Sequence, residues 1–240
     1  MVDVVRQRGT VAELHALDPF VDRADGALTD PEVWWCDPSD SALVLGSRQP
    51  TVLIDDVAAA AAGYHITRRR SGGGAVVVRP EAVVWIDVVL PHGVAPDDVR
   101  GAMVWIGERW RDALSLQLDE ALVRSLEVHR GGMVESAWSH LVCFAGVGPG
   151  EVLSDGRKLV GLSQRRTRHG LRVQGLVYRT PETAAIAGLL VGAVPDAELV
   201  EPVTIPGLEP ASIASALAGR IESAVSETAF RTRTPRSPRF

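Results

Sequence analysis

Apolar residues along this chain fall into two rhythms. Short runs rich in β-branched residues, VDVVRQR (2–8), ALVLG (42–46), HITRRR (65–70), AVVVR (75–79), AVVWIDVVL (82–90) and LRVQGLVYR (171–179), predict strands. Only Pro80-Glu81 separates the fourth run from the fifth, which predicts neighbours in one sheet of mixed or antiparallel pairing. A polar stretch around residues 18–40, with its prolines and aspartates, separates the first two runs. The second rhythm is helical. Residues 54–63 begin at aspartates and stop at Gly63; Val99, Met103, Ile106, Trp110 and Leu114 follow Asp97-Asp98; Ile213, Leu217, Ile221 and Val225 are spaced by four. Pro and Gly content makes 181–210 short helix and loop. Asp155-Gly156 between apolar runs predicts a tight hairpin, with Lys158 on the outgoing strand.

Composition narrows the class. At 240 residues, 46% hydrophobic and 23% charged, the chain has room for one sizeable core or two small ones. The expected organisation is a single domain over 1–230, then RTRTPRSPRF (231–240) as a basic, disordered tail, with no C-terminal accessory domain. No run approaches the roughly 18 apolar residues of a membrane span, and the N-terminus lacks a signal-peptide core, so a cytoplasmic location with no membrane partner is expected. Two cysteines, Cys36 and Cys143, make neither a disulfide framework nor a Cys-based zinc site. A net charge of -5 argues against nucleic acid as partner. The arginines at 68–70 and 165–168 then read as a solvated face or as a patch for an acidic protein. Lys158 is the only lysine, and an ammonium differs from a guanidinium in being a compact point charge able to approach an acyl carbonyl or phosphate.

Chemistry concentrates in two segments. In the first, arginines lead into Ser71 and the glycines Gly72, Gly73 and Gly74, where backbone can approach a ligand closely and successive N-H groups can face an anion. RRRSGGGAV (68–76) closely resembles the RRxSGGGAV segment of lipoate-protein ligase A, and ALVLGSRQ (42–49) resembles the strand and turn before it. In the second, GRKLVGLSQRR (156–166) is similar to the strand that carries that family's acyl-site lysine, here Lys158. These matches run in order from about residue 40 to 180. They identify a member of the lipoate-protein ligase A and cysteine-type octanoyltransferase family, within the biotin/lipoate protein ligase superfamily. The resemblance implies an α/β (α+β) fold of the class II synthetase-like kind, with a central mixed, largely antiparallel sheet flanked by helices. It also implies an acyl group, or acyl-AMP, held by Arg69, Arg70, Ser71, Gly72, Gly73, Gly74, Ala75, Gly161, Ser163 and Gln164, with its reactive end near Lys158.

The subclass turns on the residues before Lys158. ATP-using ligases of the family carry Asn-Asp there; this chain has Gly150-Glu151. Cysteine-type transferases carry a cysteine at the spacing shown by CFAGVGPGEVLSDGRK, where Cys143 precedes Lys158 by fifteen positions. A thiolate can take an acyl group from a carrier thioester without ATP, and a neighbouring ammonium favours the thiolate and stabilises the oxyanion. Other features depart from this pattern: the loop reads SGGGAV, as in the ligases, rather than the transferases' TGGRAV, Gln174-Gly175 stands for the His-Gly of many relatives, and VVVRPEAVVW replaces the usual His-Asp.

The expected function is therefore transfer of an octanoyl or lipoyl group to or between protein lysines, through a Cys143 thioester with Lys158 activating. The alternatives are an ATP-dependent ligase working through lipoyl-AMP, and a non-catalytic acyl-binding homologue. A lipoyl domain or H-protein-type acceptor and an acyl carrier protein donor are the implied partners. No metal or cofactor is expected from the protein alone, with ATP and Mg needed only by the ligase. His140, three residues before Cys143, reads as structural, and Trp85 as core.

Overall fold

The computed structural model describes residues 1–21, 28–192 and 194–233. In chain order the elements are β1 (Asp3–Gly9), α1 (Val11–Ala16), β2 (Glu32–Pro38), β3 (Ala42–Leu45), α2 (Asp56–Ala61), β4 (His65–Arg68), β5 (Val76–Val78), β6 (Val83–Pro91), α3 (Val99–Leu114), α4 (Glu120–Ser125), β7 (Leu126–Val128), β8 (Val152–Ser154), β9 (Arg157–Thr167), β10 (Gly170–Tyr178), α5 (Thr183–Ala187) and α6 (Pro210–Arg233). Seven strands form one sheet in the order β1-β2-β6-β10-β9-β8-β7, and three form a small sheet in the order β4-β3-β5. The large sheet is antiparallel except for β1 beside β2. In the small sheet β3 runs parallel to β4 and antiparallel to β5.

Three layers result. One face of the large sheet is covered by α3 and α6, whose apolar stripes (Met103, Ile106 and Trp110; Ile213, Leu217 and Ile221) meet Ile86, Val88 and Val173 in one core. Asp98 starts α3 by accepting a hydrogen bond from Gly101 N, a cap worth about 1 kcal/mol. The other face meets the small sheet, and Val44, Val76 and Val78 pack there with Trp34, Cys36, Trp85 and Tyr178. An apolar cavity lies between these two sheets.

Two expectations from the sequence need correction. AVVVR and AVVWIDVVL are not neighbours in one sheet: the turn at 79–82 carries the chain from the small sheet (β5) to the large one (β6). The polar stretch at 18–40 contains β2, which sits between β1 and β6 with Val33, Trp34 and Cys36 buried. The Asp155-Gly156 hairpin forms as expected, both residues having positive φ (48° and 74°), as the tightest two-residue turn requires. Of the expected tail, residues 231–233 continue α6 and 234–240 lie outside the described residues. Among the described residues no helix is long and apolar enough to cross a membrane.

Candidate active site

Between β4 and β5 the chain doubles back through the glycine loop, and Arg69 is the post it winds around. Its buried guanidinium donates to the carbonyls of Gly72 (2.7 Å), Gly74 (2.8 Å) and Val44 (3.4 Å). Gly73 has φ +98°, and a Cβ there would stand 2.8 Å from Arg69 Nη2 and 3.5 Å from Cys143 Sγ, so the position demands glycine twice over. The loop is stitched to the segment before Cys143. Ala75 N donates to Leu141 O (2.7 Å) and Cys143 N donates to Ala75 O (2.9 Å). Gln49, from the turn after β3, donates to the carbonyls of His140 and Leu141 and accepts from Gly46 N.

Cys143 opens a single 3-10 turn (Cys143–Ala145) and is half-buried, with its sulfur 3.8 Å from Arg69 Nη2. Lys158 reaches the same residue from β9. Its Nζ donates to the Cys143 carbonyl (2.8 Å), pairs with Glu151 Oε2 (2.7 Å) and stands 5.3 Å over the Phe144 ring. Leu153 faces Lys158 across a register shift between β8 and β9, and Glu151 stands just before β8. The Lys158 and Glu151 side chains are only 3% and 4% exposed. Glu151 also accepts from Gly148 N (2.6 Å) and Leu162 N (3.1 Å), so three of the roughly four acceptor positions of its carboxylate are taken. The glutamate that looks in the sequence like a lost Asn-Asp pair is thus the partner that holds Lys158 against Cys143.

Two cavities meet at Cys143. One lies between the two sheets and is walled mainly by apolar side chains, with Gly161 and Leu176 side by side on β9 and β10. The other is an open cleft of about 1780 Å3 that includes the glycine loop, Glu151, Lys158 and the cations Arg48 and Arg100. Cys143, Leu162 and Ser163 line both.

Of the residues singled out in the sequence, Arg69, Gly161, Ser163 and Cys143 border the inner cavity. Ser71, Gly72, Gly73, Gly74, Lys158 and Gln164 border the cleft, and Ser71 Oγ donates to Ser163 Oγ at 3.0 Å. Gln164 gives its amide N-H to Val99 O, while its Oε1 is buried without a hydrogen-bond partner. Arg70 and Ala75 line neither space. Arg70 pairs with Asp18 (3.0 Å), as does Arg165 (3.0 Å), and Ala75 is buried in the pairing with Leu141 and Cys143. His140 borders the cleft, and among the described residues no group of three or more His, Cys, Asp or Glu side chains is placed to hold a metal ion.

The sequence offered no signal for the polar group under the inner cavity. Asp87 on β6 is fully buried and accepts from Trp85 Nε1 (2.6 Å) and Arg172 Nε (2.7 Å). Arg172 in turn caps the end of α1 through the carbonyls of Leu14 and Leu17. Gln174 lies beside this pair, and His15 of α1 stacks on Trp85 with ring centroids 4.5 Å apart. Burial, reinforced by the Arg172 and Arg69 charges, pushes the His15 pKa down to about 3, so the ring is neutral at physiological pH. His15 lies in the short helix α1, which a capping box between Thr10 and Glu13 starts, and the fold brings it to β10.

Comparison with known proteins adds the following. A family model described as "Lipoyl protein ligase A/B catalytic domain" matches residues 15–203. No curated protein sequence matches. Among solved structures, lipoate-protein ligase A bound with ATP superposes with a TM-score of 0.66 at 14% identity, over 94% of this chain and 85% of that one. Protein Ta0514 from T. acidophilum with bound lipoic acid gives 0.65 at 15% identity, over 96% and 94%. A bi-partite lipoate protein ligase from Thermoplasma acidophilum, studied with its E2 lipoyl domain, gives 0.65 at 16% identity, over 94% and 83%. At these identities the likeness is one of fold.

Proposed function

The chain belongs to the lipoyl protein ligase A/B catalytic domain family, and from that premise we propose that it transfers a medium-chain acyl group, octanoyl or lipoyl, to a protein lysine through a thioester on Cys143. The observation that carries this reading is the position of Cys143 at the junction of an apolar cavity and an open, cation-bearing cleft. An acyl chain in the cavity presents its carbonyl at the sulfur, and a carrier or acceptor protein approaches through the cleft.

The chemistry balances without ATP. The Cys143 thiolate attacks the carbonyl of a carrier thioester, the C-S bond to the carrier breaks, and the carrier leaves as a thiolate that takes up the proton Cys143 gave up. An acceptor lysine amine then attacks the Cys143 thioester, forming the amide and returning the cysteine thiol. Lys158 Nζ has three N-H groups. One serves the Cys143 carbonyl and one Glu151, and the third stabilises the negative oxygen of each tetrahedral intermediate. Arg69 supplies a second positive charge beside the sulfur. The acceptor is a lipoyl domain or an H-protein-type domain, and the donor an acyl carrier protein.

A second reading, an ATP-dependent lipoate ligase, draws on the size of the cleft and on Arg48 and Arg100 in its wall, which suit an anionic ligand. Against a metal held by Glu151 stands its commitment to Lys158, Gly148 and Leu162 in a buried position. Intact mass spectrometry after mixing the protein with octanoyl-acyl carrier protein, without ATP, separates the two. An octanoyl adduct that Cys143→Ala abolishes supports the transferase. No adduct, with an acceptor lipoylated only when lipoate, ATP and magnesium are supplied, replaces it with the ligase.

A further inference from the structure

The inner cavity is apolar along Val44, Val76, Val78 and Leu176, yet three polar side chains that line it do not line the cleft: Arg69, whose guanidinium serves the Gly72, Gly74 and Val44 carbonyls, and the neighbouring pair His15 and Gln174. Their hydrogen bonds fix how each is turned. Gln174 Nε2 lies 3.2 Å from His15 Nδ1 and 3.5 Å from Asp87 Oδ2. Asp87, ion-paired to Arg172, accepts hydrogen bonds, so the amide must present its NH2 group to it. The same NH2 group then donates its other hydrogen to His15 Nδ1, which places the proton of the neutral imidazole on Nε2. Two groups remain without a protein partner among the described residues: the acceptor Gln174 Oε1 and the donor His15 Nε2-H.

A saturated acyl tail would bury a donor and an acceptor unpaired, which is costly, whereas a tail with a neutral polar end would pair both. We propose that this cavity selects medium-chain acyl groups whose distal end carries a neutral group able to donate and accept hydrogen bonds, an amide or a hydroxyl, over an unsubstituted octanoyl chain. This rests on the acyl-binding reading of the same cavity. A cationic tail is disfavoured, because the Arg69 guanidinium lines the same cavity.

The test is calorimetric binding of three free acids to the full chain: octanoate, 8-hydroxyoctanoate and suberic acid monoamide. The polar-ended acids are expected to bind roughly tenfold or more tightly than octanoate. Gln174→Met and His15→Leu should each erase that margin. Octanoate binding as tightly as the polar acids, or no acid binding at all, overturns the proposal on the wild-type protein alone. Transfer from the matching acyl-carrier thioesters to Cys143, read by mass, is scored separately. Selective binding without transfer would leave the cavity's preference standing while removing the thioester mechanism, and transfer without selectivity would do the reverse.

Discussion

Lys158 and Glu151 form a buried ion pair at 2.7 Å, and the same lysine nitrogen touches the carbonyl of Cys143 at 2.8 Å. The pair is a positioning device, because each charge would be untenable there without the other. Breaking it on one side leaves a buried charge uncompensated, at a cost of about 3–5 kcal/mol. Glu151→Gln and Lys158→Met are each expected to lose stability on that scale in urea unfolding. The double variant should recover much of the loss without recovering acyl transfer. Additive single losses in the double-mutant cycle would show that the two groups are not coupled.

Gly73 separates Arg69 from Cys143. With φ at +98° and Arg69 Nη2 2.8 Å from where a Cβ would stand, Gly73→Ala forces both backbone strain and displacement of a guanidinium that organises the loop. Its cost to stability is about 1–3 kcal/mol. Labelling of Cys143 by an acyl thioester should fall far more than that loss explains, because the new methyl group lies against the sulfur. A variant that labels at the wild-type rate would separate the loop from the chemistry.

Much of this site was legible from residues, and the illegible parts share a cause. Runs such as AVVWIDVVL and the stripe Met103, Ile106, Trp110 declare strand and helix because burial on a sheet or helix face imposes its own period. The glycine loop and Lys158 were visible because they depend on local backbone needs and a rare residue type. Strand β2 was hidden: in EVWWCDP the half-buried Trp35 is as apolar as the buried Trp34 and Cys36 beside it, so the alternation of burial leaves no alternation of residue type, and prolines and aspartates surround it. The role of Glu151 depends on a fold-back across β8 and β9, and that of His15 on α1 reaching the centre of the sheet. Such encounters between distant segments leave no period in the chain.

His15 makes stability depend on pH in a definite direction. An unfolded histidine takes up its proton near pH 6.5, while in the fold burial, then Arg172 and Arg69, hold the pKa at about 3. The unfolded state therefore binds more protons between these values. The contribution of neutral His15 is fully present above 6.5 and is lost as pH falls toward 3, at about 1 kcal/mol per pH unit. His15→Gln cannot titrate, so its stability should decline less than that of the wild type between pH 7 and pH 5. Equal declines, or an imidazole NMR titration centred near 6.5, would contradict the neutral ring.

Gly161 tests whether the acyl chain runs where the cavity runs. It pairs with Leu176 on β10, and a Cβ at this position would come within 2.7 Å of the Phe144 ring. That ring leans on the buried Tyr178, with centroids 4.8 Å apart, so it has little room to retreat. Gly161→Ala therefore narrows the passage just behind Cys143, with an overpacking cost of about 1–3 kcal/mol. A butanoyl thioester, too short to pass Phe144, should still label Cys143 at close to the wild-type rate, while octanoyl labelling should drop about tenfold or more. The ratio of the two rates, followed by intact mass, is insensitive to a general loss of folded protein. If both chains slow equally, the octanoyl tail does not occupy the space between the sheets.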